Sequence, residues 1–142
     1  MQVCTIKDIP IRIHYSLIIF ASLILSYTYF ESGASMALHT MGLLIVLFVS
    51  VFLHELGHSF AAKKFKMDTK SITLYPFGGI AMVNMSNMTP KSEMLIALAG
   101  PFTNLLIMLA ALPAALLSVP FSAEILFLNT IMCFFNMIPA FP

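Results

Sequence analysis

The chain has 142 residues, of which 60% are hydrophobic and 9% charged, with a mean hydropathy of +0.97; soluble domains carry about 25% charged residues, so the composition is that of a membrane protein. A formal net charge of +1, with no basic face interleaved with aromatics, argues against nucleic acid as a partner. Cys4 and Cys133 sit at opposite ends with no CxxC pair, which argues against a disulfide or thiolate-metal framework.

Residues 1–10 carry Lys7 and Asp8 ahead of an apolar run. Ser32-Gly33-Ala34-Ser35 is a weak candidate for a small-residue cleavage site, so the apolar run reads as an uncleaved first span rather than a signal peptide. The charge-free stretch 13–30 is long enough to cross a bilayer at ~1.5 Å per residue with help from its flanks. Arg12 precedes it, and His14 and Tyr15 occupy interfacial anchor positions. A turn over 31–35 leads to a second span, 36–62. Gly57 and Ala61, with Ser50 and Ser59 nearby, are small enough to let a neighbouring helix approach closely. Lys63, Lys64, Lys66 and Lys70 follow, and Lys7 and Arg12 flank the other end of the same hairpin. By the positive-inside rule both ends are cytoplasmic and the Glu31 turn is outside.

The segment 71–83 changes character. Ile72-Thr73-Leu74-Tyr75 and Ile80-Ala81-Met82-Val83 are strand formers around Pro76-Phe77-Gly78-Gly79, so a short β-hairpin is expected, too short to span. Thr89 and Pro90 suit the N-cap and first position of a third span, 90–112, kinked near Gly100-Pro101 and carrying the lone amide of Asn104. Residues 113–121 turn back, and 122–138 form a fourth span ending at Asn136. The expected fold is an α-helical polytopic membrane protein. It has about four transmembrane helices and a hairpin-like cytoplasmic or re-entrant segment, in one membrane-embedded unit over 1–142.

Within 36–62 the ionisable residues are His39, His54, Glu55 and His58, and three of them fall in one helical turn as His54-Glu55-Leu56-Gly57-His58. His-Glu-x-x-His on a helix projects two imidazoles from one face toward a shared zinc ion and leaves the glutamate free to handle protons. Ionisable groups at such depth are costly and are functional by default, the plainer reading being a buried His/Glu hydrogen-bonded cluster. His58 precedes Ala62 by one turn, so the site is expected roughly 6–12 Å below the cytoplasmic boundary, open to water from that side. An even number of spans returns Asn136 and the following prolines to the same face.

Together these pieces resemble the site-2 protease family of intramembrane zinc metalloproteases, in particular its compact prokaryotic members of the stage IV sporulation protein FB type. The resemblance rests on several motifs in order. Pro10-Ile11-Arg12-Ile13-His14-Tyr15-Ser16 is similar to the family's lead-in to its first helix. The zinc motif is at His54 to His58, a Gly-Gly-x-Ala element is at Gly78-Gly79-Ile80-Ala81, and Ala99-Gly100-Pro101 precedes Asn104. Asn136-Met137-Ile138-Pro139-Ala140-Phe141-Pro142 is similar to the opening of the Asn-x-x-Pro-x-x-Pro signature. In the family that signature continues into an Asp-Gly-Gly-like segment whose aspartate is the third zinc ligand. The sequence stops at Pro142, so it is expected to be a piece of a longer chain with its third ligand beyond Pro142. Two ligands, against the usual three plus water, predict weak metal binding or none by this stretch alone.

The resemblance implies one zinc ion per chain on His54 and His58, with Glu55 as general base for hydrolysis of peptide bonds in or near transmembrane segments. Gly78 and Gly79 would present an edge to which an unwound substrate adds as a strand. Asn104 and Asn136 would hydrogen-bond substrate or loop backbone. The implied substrates are membrane-tethered regulators such as anti-sigma or pro-sigma factors, and the implied location is the cell membrane, multi-pass, with the N-terminus and active-site side cytoplasmic. Two other classes remain open on the residues alone: a transporter passing a metal ion along the His/Glu cluster, and an inactive membrane scaffold.

Overall fold

The computed structural model describes residues 1–84 and 88–138. Pro139, Ala140, Phe141 and Pro142 of the C-terminal signature lie outside the described residues.

Two antiparallel hairpins build one four-stranded sheet in the order β1-β2-β3-β4. β1 (Gln2–Ile6) pairs with β2 (Ile9–Ile13), and β3 (Thr69–Tyr75) with β4 (Gly78–Val83). The hairpins join through a parallel β2–β3 contact, with Ile11 opposite Ile72 and Ile13 opposite Leu74. Parallel neighbours need a long crossover, supplied here by the helix between them. The second hairpin lies where the sequence leads one to expect it. The first does not: 10–16 reads as a lead-in to a helix and 13–30 as the span. Ile9, Ile11 and Ile13 do alternate along β2, and Ile9 and Ile11 are buried, but five residues of period two are a small signal beside an eighteen-residue apolar run. Ile13 thus belongs to the sheet, and His14 caps the helix by accepting from the Ser16 N–H at 3.3 Å.

α1 (Tyr15–Lys64) contains both expected arms of the first hairpin. Its backbone leaves helical dihedrals at Gly33 (φ 83°, ψ 179°), a positive φ that an L side chain would resist, and this divides it into 15–32 and 34–64. α2 (Pro90–Leu116) opens on a capping box between Thr89 and Ser92, with Pro90 in the first turn. It runs past Pro101 and also past Pro113, where a turn was expected. A proline so near the C-terminus removes only one hydrogen bond from the closing turns. α3 (Ser122–Met137) follows. Among the described residues, two helices are long and apolar enough to cross a membrane, Tyr15–Lys64 and Pro90–Leu116. The 16 residues of α3 rise about 24 Å, short of a ~30 Å hydrocarbon core.

The buried apolar clusters all include α1 residues from 51 to 62. Leu56 packs with Ile9, Ile11 and Ile72 of the sheet. Val51 packs with Leu17 of the other arm and Leu74. Ala62 packs with Met67 and with Ile96 of α2. The sheet, the first arm and α2 therefore all close on the turns that carry His54, Glu55 and His58, while outer apolar residues such as Leu23 and Phe30 remain exposed.

Candidate active site

His54 and His58 follow each other by one turn on α1, and their Nε2 atoms converge to 3.0 Å with the rings 83° apart. Two nitrogens held about 2.0–2.1 Å from one tetrahedral zinc ion are about 3.3 Å apart, so the pair fits such an ion with a shift of a few tenths of an ångström. The His58 Nδ1 lies 2.7 Å from the Ile96 carbonyl, which can only accept. Nδ1 therefore holds the proton and Nε2 presents its lone pair, the tautomer a metal needs. Among the described residues no third His, Cys, Asp or Glu joins the pair in a metal-binding cluster.

α2 crosses α1 here, and small residues allow it. A Cβ on Gly57 would overlap the Thr103 hydroxyl and come within 2.8 Å of the Ala99 carbonyl. A Cβ on Gly100 would overlap the His58 ring and approach His54 Cε1 to 2.6 Å. Gly100 thus forms a wall against which both imidazoles rest. The Ala99-Gly100-Pro101 motif is visible in the sequence, but that it packs on the two histidines is seen only in the structure. The Ile96 carbonyl is missed altogether, because a backbone acceptor has no residue-type signature.

Glu55 points the other way, toward the hairpin. Its Cγ stands 2.5 Å from where a Gly79 Cβ would be, and the backbone of Ala81 faces its carboxylate. A cleft of about 440 Å³ opens at this point, lined by His54, Glu55, Gly78, Gly79, Met132 and Asn136 among others. β4 is an edge strand of the sheet. The structure therefore brings together His54, Glu55, Gly78, Gly79 and Asn136, the last with its Nδ2 donating to the Met132 carbonyl at 2.7 Å. His58 sits beside His54 but off the cleft lining. Asn104 is wholly buried on α2 and lies against His54 rather than on the cleft wall.

Comparison with known proteins agrees with this geometry. The profile of Peptidase family M50 matches residues 42–123, more than half of the chain. The chain is 36% identical over 143 residues to "Zinc metalloprotease MJ0392" of Methanocaldococcus jannaschii, covering 96% of this chain and 40% of that protein. It is 34% identical over 106 residues to "Stage IV sporulation protein FB" of Bacillus subtilis, covering 72% of this chain and 37% of that one. The chain thus spans about 40% or less of the length of these curated relatives. Its fold matches the solved "Site-2 Protease from Methanocaldococcus jannaschii" with a TM-score of 0.79 at 34% identity, over 100% of this chain and 66% of that structure. On the profile match and on the site that carries its motif, the chain belongs to Peptidase family M50, the family of the site-2 proteases.

Proposed function

We propose that the full-length protein is an intramembrane zinc metalloprotease that cleaves peptide bonds in or near transmembrane segments of membrane-tethered regulatory proteins. The observation that carries this reading is the convergence of His54 and His58 Nε2 at 3.0 Å beside a glutamate that lines a cleft floored by two glycines. His54 and His58 would hold the ion, with a third donor from outside the described residues. When bound, zinc supplies Lewis-acid activation of the attacking water and the scissile carbonyl. Glu55 takes the proton from that water onto its carboxylate and returns it to the departing amide nitrogen. Gly78 and Gly79 leave the β4 edge free of side chains at the cleft, so an unwound substrate can lie along it as an added strand. Asn136, which lines the same cleft from α3, holds substrate or loop backbone through its amide.

The two arms of α1, α2 and α3 form a four-span bundle in this reading, with the Lys63–Lys70 end and the N-terminus in the cytoplasm. Anti-sigma or pro-sigma factors are the proposed class of substrate, supported by family membership alone. The reading predicts that chelation abolishes cleavage of a membrane-tethered reporter, that zinc restores it, and that His58→Ala is not restored. Cleavage surviving complete zinc removal, with metal content measured on the same sample, would remove the metal from the reaction.

A further inference from the structure

The second ring nitrogen of His58 has a partner, and that of His54 has none among the described residues. With both Nε2 lone pairs directed at one ion, each Nδ1 carries a proton that needs an acceptor. For His58 the Ile96 carbonyl provides it. On the other side, His54 Nδ1 and both heteroatoms of the Asn104 side chain are buried with no hydrogen-bond partner among the described residues. Besides His58, the polar groups that act on the His54 ring are Asn104 and the Gly100 backbone. The Gly100 carbonyl is the regular helical acceptor for the Asn104 N–H, and it makes no hydrogen bond to His54 Nδ1. That leaves the Asn104 amide, wholly buried and one turn beyond the glycine on which both imidazoles rest. Orphaned buried polar groups are costly, and a single hydrogen bond between these neighbours would satisfy both the His54 Nδ1 and the amide oxygen. Oxygen and nitrogen of an amide exchange places by a half-turn about χ2, so Oδ1 can be the atom facing the ring.

We propose that Asn104 is the positioning residue of the metal centre: its Oδ1 accepts the Nδ1 proton of His54 and fixes the ring and tautomer that aim Nε2 at the ion. The proposal rests on the zinc reading above and assigns Asn104 to the metal rather than to substrate. A substrate amide at the β4 edge would have to reach past His54, because Asn104 is off the cleft wall.

The test is competition titration of Co²⁺ and Zn²⁺ into full-length protein in detergent, with helicity and thermal transition measured on the same samples. Asn104→Leu, similar in size but without an acceptor, should lose 10–100-fold in metal affinity with its helicity retained. Asn104→Asp, which keeps an acceptor oxygen and no donor, should bind within a few-fold of the parent, and it decides the matter if the leucine variant fails to fold. An Asn104→Leu protein that binds metal as the parent does, or an Asn104→Asp protein as weak as Asn104→Leu, overturns the proposal. Lost cleavage with unchanged metal affinity overturns it in favour of a substrate contact. A parent protein that binds neither ion contradicts the zinc reading itself, a different outcome from any of these.

Discussion

Gly79 has no room for a side chain. A Cβ there would stand 2.5 Å from Glu55 Cγ, 3.1 Å from Cδ and 3.3 Å from Oε1. Valine at this position therefore has to displace the carboxylate or the strand, and its branched carbon also obstructs the approach of another backbone to β4. Gly79→Val is expected to lower cleavage by at least ~10²-fold, the lower end of what a general base contributes, with zinc content and thermal transition near those of the parent. Parallel losses of activity and stability would instead make the hairpin a mere connector. The residues proposed to do the chemistry are legible at this scale. His54, Glu55 and His58 stand out because ionisable groups are rare in an apolar span and their spacing fixes one helix face. The crossing at Gly57 was legible for a similar reason, since only small residues permit it. Asn104 was legible as a lone amide, but its direction was not: sequence spacing gives a helix face and cannot give what packs on it.

α3 is tied to the metal-motif helix by one buried side-chain bond. Asn129, fully buried, donates through Nδ2 to Ser50 Oγ at 3.0 Å and to the Ile125 carbonyl at 2.8 Å. Ser50 is one turn before His54, and α3 carries Met132 and Asn136 on the cleft wall. Bonds of this kind between membrane helices contribute about 0.6 kcal/mol on average and up to about 1.7. Asn129→Ala should reduce stability in detergent by about 1 kcal/mol, read from the shift in unfolding midpoint, and Ser50→Ala should add little on top of it. Fully additive losses would show that the two side chains do not act as a pair. The elements themselves were uneven to read. The helical arms and the Gly-Gly hairpin follow from long apolar runs and strand formers around a turn. The first hairpin was hidden in part because the parallel partner of β2, β3, lies more than fifty residues away, a pairing that no local pattern encodes.

At the scale of the whole molecule, the sheet, the first arm and α2 converge on one end of α1, and in the proposed orientation the lysines after Ala62 put that end in the cytoplasm. With Cys4 and Cys133 replaced by serine, a thiol introduced as Lys66→Cys should react with an impermeant reagent from the cytoplasm, and Gly33→Cys only from outside. The reverse pattern would invert the molecule and move the water supply of the cleft to the other face. The central claim is narrower: Glu55 moves the proton at a zinc site held by His54 and His58. Its most direct test is Glu55→Gln in the full-length protein, with zinc content and cleavage of a membrane-tethered substrate measured on one preparation. The glutamine variant should keep its zinc and lose cleavage by ~10²–10⁴-fold, because an amide cannot accept the proton. Cleavage at the parent rate would remove Glu55 from the base role, and loss of zinc would make it a ligand instead.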